Sequence, residues 1–93
     1  MSFTTTLHSF NLQRFEAYKI MSEEKFLVAL GKRIKVARTE KKLKQNELAC
    51  LCNFEKASMS RIESGQANPT VLTLFKISKA LEVPMSTFFF EES

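Results

Sequence analysis

Ninety-three residues, 44% of them hydrophobic and 26% charged, suffice for one small domain with a modest core. Two glycines and two prolines are too few for the turns of a sheet-rich protein, so helices are favoured, and no apolar run approaches the ~18–20 residues of a membrane span. The net charge of +4 is concentrated: residues 31–66 hold nine basic groups against four acidic ones, while the flanks are neutral or slightly acidic, which is the electrostatic footprint of a polyanion-binding face.

Along the chain, residues 1–22 show no firm periodicity. The stretch FNLQRFEAYKI, with Phe10, Phe15 and Ile20, reads as a marginal helix or a mobile extension. It lacks the positive-then-apolar layout of a signal peptide, so a cytoplasmic location is expected. Met21 before Ser22-Glu23-Glu24 looks like a second beginning, because a serine cap with acids in the first turn opens helices well. A first helix is predicted over residues 23–41, its buried stripe made by Phe26, Leu27, Leu30, Ile34 and Ala37 at spacings of three and four. A second is predicted over 45–52 and a third over 56–64, the latter stopped by Gly65 in a left-handed conformation. After the loop GQANP, Thr70 caps a fourth helix over 71–81 that turns Leu74, Ile77 and Leu81 inward. Pro84 or Ser86 opens a short fifth helix with Phe88 and Phe89. The expected fold is all-α, a compact five-helix bundle over residues 23–90, followed by a tail over 91–93.

The connection between the second and third helices carries the functional signal. Two helices that cross steeply need a small residue at their contact, which Ala49 supplies, and a left-handed backbone in the turn, which Asn53 tolerates better than most residues. Phe54 then plugs the corner. On a helical wheel of the third helix, Met59 and Ile62 define the buried side, while Ala57, Ser60, Arg61 and Ser64 lie opposite, with Lys56 at the flank. An outward face of small, hydrogen-bonding and cationic residues suits a DNA major groove.

Residues 30–89 resemble the Cro and phage-repressor (XRE) family of helix-turn-helix domains. The likeness rests on Gly31, Arg33, Ile34 and Arg38 for the "G-x-R-I…R" opening, on Gln45, Glu47, Leu48 and Ala49 for "Q-x-E-L-A", and on SRIESG over 60–65. It continues through "NP…L…I…AL" over 68–81, and covers about two-thirds of the chain in order and spacing. The resemblance implies a repressor-like fold and double-stranded DNA as partner. It implies base reading by Lys56, Ala57, Ser60 and Arg61, with Arg61 pairing a guanine and Ala57 lying on a thymine methyl. It further implies phosphate contacts by Gln45, Lys44, Ser64, Gln66 and Asn68, backbone amides of the 65–68 loop turned to phosphate, and an internal ion pair between Arg38 and Glu63. Lys42 and Lys44 depart from the family's usual Gly and Ser/Thr, and Glu55 from its usual Ser or Thr cap.

Three successive phenylalanines over 88–90 cannot all face inward on a short helix, so Phe88 and Phe90 are candidates for a homodimer contact, which would place two recognition helices about 34–36 Å apart on a palindromic operator. Cys50 and Cys52, two apart on a helix, point about 200° away from each other, wrong for a disulfide or a shared metal. His8 is read as no site. With no glycine-rich phosphate loop and no Cys–His or Ser–His–Asp set, neither catalysis nor a cofactor or metal is expected. Too few residues follow the fifth helix for a small-molecule effector domain. The expected function is that of a DNA-binding transcriptional regulator, a repressor in the first instance; an antitoxin or protein-interaction module of the same fold, with a protein partner, is the alternative.

Overall fold

The structure, a computed structural model, describes residues 21–89. The marginal helix read into Phe10, Phe15 and Ile20, His8, Phe90 and the tail over 91–93 lie outside these residues. Among the described residues four α-helices follow one another: α1 (Glu23–Glu40), α2 (Gln45–Leu51), α3 (Lys56–Ser64) and α4 (Val71–Leu81). The expected fifth helix is instead a four-residue 3-10 turn, Met85–Phe88. Thr87 donates to the Pro84 carbonyl and Phe89 to that of Ser86, both i→i+3 bonds. So short a piece behind a proline does not recover the cost of nucleating an α-helix, and the tighter turn closes with fewer fixed residues.

Helix α1 begins where the Ser22 hydroxyl accepts from the Lys25 amide at 3.2 Å, and it buries Leu30, Gly31, Ile34, Ala37 and Arg38. It ends in a Schellman closure, Leu43 N–H to Arg38 C=O and Lys42 N–H to Thr39 C=O. Lys42 holds the left-handed position at φ 61°. A side chain with a Cβ is strained there, so Lys42→Gly is expected to raise the unfolding free energy by about 1 kcal/mol, read as a higher midpoint in urea. An unchanged midpoint would mean that the lysine side chain makes up the difference.

Ile34, Leu48, Met59, Ile77, Leu81 and Phe88 are sealed from solvent, so every helix and the 3-10 turn contribute to one core. Helices α1 and α3 meet at two glycines. A Cβ on Gly31 would stand 2.5 Å from the carbonyl oxygens of both Ile62 and Glu63, and one on Gly65 would stand 2.7 Å from Val28 Cγ2. Gly65 also takes φ 81°, closing α3 through Gln66 N–H to Arg61 C=O and Gly65 N–H to Ile62 C=O. The 3-10 turn is strapped to α1: Arg33 Nη1 donates to the Phe88 carbonyl at 3.4 Å, and the Phe26 and Phe89 rings stack at 6.3 Å. An ion pair between Lys41 and Glu82 joins the ends of α1 and α4.

Candidate nucleic-acid interface

Helices α2 and α3 are joined by residues 52–55. Cys52 N–H returns to the Leu48 carbonyl, Asn53 N–H to Cys50 and Phe54 N–H to Ala49, and Asn53 stands at φ 60°. Ala49 is buried at the contact and Phe54 packs against the core from the corner. The break in the apolar phase is therefore a helix-turn-helix, with α3 presented by the core beneath it.

On α3, Met59, Ile62 and Glu63 face inward. Lys56, Ala57, Ser60, Arg61 and Ser64 are all exposed, and at 100° per residue they fall within an arc of about 140°. The four residues proposed to read bases thus share one solvent-facing stripe. Ser64 Oγ donates to the Arg61 carbonyl at 3.2 Å, leaving its lone pairs rather than its proton outward. Gln66 and Asn68 are exposed on the loop after α3. Of that loop's amides, Gly65 and Gln66 are taken up in closing α3, so the expected backbone cradle is reduced to the amides of Ala67 and Asn68. Neither is bonded to another of the described residues' backbone groups.

At the start of α2, Lys44 is exposed and occupies the cap position. An ammonium has no lone pair to offer the first amides, but the Glu47 carboxylate accepts from the Lys44 amide at 2.7 Å, supplying half of a capping box. Glu55 caps α3 in an extended conformation without a side-chain bond to it. Gln45 is half-buried, its Nε2 donating to Glu63 Oε1 at 3.1 Å. Glu63 in turn accepts from Arg38 through Nε at 2.7 Å and Nη2 at 3.0 Å, and Arg38 Nη1 donates to the Leu43 carbonyl at 2.8 Å. This buried set ties α1, the start of α2 and α3 together.

Phe88 is withdrawn as a dimer contact, because its ring is 0% exposed in the core. Of the three phenylalanines, the first points inward and the second lies half-buried on Phe26. Among the described residues, large apolar side chains are exposed at Val28 and Val36 on α1, at Leu51 on α2, and as a group of three on α4, where Val71, Leu72 and Phe75 are 74%, 61% and 47% exposed. The signal was in the sequence: Val71, Leu72, Leu74, Phe75, Ile77 and Leu81 make α4 apolar over too wide an arc for one buried face. Among the described residues, no group of three or more His, Cys, Asp or Glu is placed to hold a metal ion, and no helix is long and apolar enough to cross a membrane.

A helix-turn-helix of this register, set in a small all-helical domain, defines a class of transcription regulators. The profile of the helix-turn-helix family HTH_3 matches residues 34–88, and the chain belongs to that family, of the XRE type. It is 35% identical over 66 residues to the immunity repressor protein of Bacillus phage phi105, covering 71% of this chain and 46% of the repressor. It is 38% identical over 66 residues to multiprotein-bridging factor 1 of Candida albicans, covering 71% of this chain and 44% of that protein. The chain thus spans less than half the length of these two relatives. Among solved structures, the restriction-modification controller protein C.AhdI from Aeromonas hydrophila is 32% identical with a TM-score of 0.66, the match covering 68% of this chain and 96% of that one.

Proposed function

We propose that residues 23–90 form a sequence-specific double-stranded DNA-binding domain, and that the protein acts in the cytoplasm as a transcriptional repressor, dimeric on a palindromic operator. The observation that carries this is the exposed stripe of α3, where Lys56, Ala57, Ser60 and Arg61 stand clear of a fully packed underside. Cations, a hydroxyl and a small methyl are what a major groove accepts at its edges. Lys44, Gln45, Gln66 and Asn68 flank that stripe as donors to the phosphate backbone, and Ser64 joins them by turning its proton from the Arg61 carbonyl to a phosphate oxygen. A phage immunity repressor and a restriction-modification controller among the similar proteins support a regulator over an enzyme.

Selection from random duplex DNA tests the proposal: a palindromic winner, bound with an affinity that falls steeply with salt, is the expected result. Arg61→Ala should then relax preference at one base position by about 1–3 kcal/mol of discrimination, with the melting temperature nearly unchanged. No enriched sequence, with weak binding to every duplex, would point to a protein partner instead.

The dimer contact is assigned to the α4 face of Val71, Leu72 and Phe75, where three large apolar side chains of one helix are exposed together. Phe75→Asp is expected to halve the mass seen by light scattering while leaving the helical content intact. A mass indifferent to this change would remove α4 from the interface.

A further inference from the structure

Glu63 is buried, its side chain only 3% exposed, yet its carboxylate does more than hold Arg38. Its Oε2 takes Arg38 Nε at 2.7 Å, while Oε1 takes both Arg38 Nη2 at 3.0 Å and Gln45 Nε2 at 3.1 Å. An ionised carboxylate only accepts hydrogen bonds. Gln45 must therefore turn its nitrogen, never its carbonyl, toward Glu63. The amide nitrogen carries two hydrogens in a plane about 120° apart, so fixing one on Glu63 aims the other away from the carboxylate. A bare carboxylate this close to a phosphate would repel it; two hydrogen bonds from Arg38 offset that charge locally. Arg38 is itself anchored on the Leu43 carbonyl at 2.8 Å, next to the loop that leads into α2.

From this geometry we infer that Glu63 is a positioning residue for DNA: it locks the Gln45 side-chain amide so that its second N–H meets a backbone phosphate. The inference rests on the proposed role of Gln45 as a phosphate ligand. Glu63 touches no DNA in this arrangement. It sets the direction of a donor on the preceding helix, so that the base-reading helix and the backbone contact move as one piece.

The test is a double-mutant cycle on affinity for a mixed-sequence duplex of about 20 base pairs at low salt, where phosphate contacts dominate. Arg38→Met and Glu63→Leu are made together, which removes the pair without stranding a buried charge. Gln45→Ala should weaken the wild-type protein about tenfold but the paired variant only two- to threefold, with sequence preference unaltered in both. Equal losses in the two backgrounds would overturn the inference while leaving the DNA-binding proposal standing. If wild-type protein binds no duplex, both fall together. Because the paired variant can fail to fold, the wild-type protein supplies a second measurement by NMR. One Gln45 Nε2 proton should be protected and shifted in the free protein, and the other should move on adding the duplex. Two protons that exchange like those of free glutamine, or a pair indifferent to the duplex, would also overturn it.

Discussion

Replacing Gly31 with alanine is expected to destabilise the domain by about 3 kcal/mol, seen as an earlier urea midpoint with an unchanged slope. The added methyl would sit 2.5 Å from two main-chain oxygens, those of Ile62 and Glu63. Main chain has no rotamer into which to retreat, so α1 and α3 must separate. Separation stretches the Arg38–Glu63 bonds, which span the same crossing, and the loss therefore exceeds that of a simple overpacked side chain. Ala29 offers a control: Ala29→Ser, on the same helix but outside the crossing, should move the midpoint little. A tolerated Gly31→Ala would show that the two helices have slack at their contact.

Phe88→Ala is expected to have a larger effect still, about 4 kcal/mol, because the ring is wholly buried and its removal leaves a cavity between α1, α4 and the 3-10 turn. For a domain of this size that is a large share of the total stability, and a measurable unfolded fraction at 37 °C should follow. The outcome separates two roles for the C-terminal aromatics. A core residue loses cooperative unfolding strength whatever the protein concentration. A residue at a subunit contact would instead change mass and leave the unfolding of the separated protomer nearly untouched.

Local chemistry made much of the fold readable. Helices α3 and α4 have the ends predicted for them, since Gly65 is a stop with a positive φ and Thr70 is a cap that accepts from Thr73. The first two helices each finish one residue earlier than the pattern suggests, where Lys42 and Asn53 turn left-handed without a glycine to mark them. The exposed stripe of α3 was equally legible, because one wheel separates it from Met59 and Ile62. What the chain order hides is tertiary. Gln45 and Glu63 are 18 residues apart, and nothing in their neighbours announces a hydrogen bond between them. Gly31 is one letter of a motif until the carbonyls of α3 are seen beside it. Among three consecutive phenylalanines, the one to be buried is chosen by the space between α1 and α4, which local periodicity does not describe.

The two cysteines sit two residues apart, yet Cys50 is exposed and Cys52 is buried, with its thiol pushed above the ordinary range by burial and its Sγ 3.8 Å from the Lys76 carbonyl. Each molecule therefore carries a thiol clock and its own reference. An alkylating dye should label Cys50 at once and reach Cys52 only when the contact between α2 and α4 opens. The delay between the first and second label counts those openings without any engineered probe.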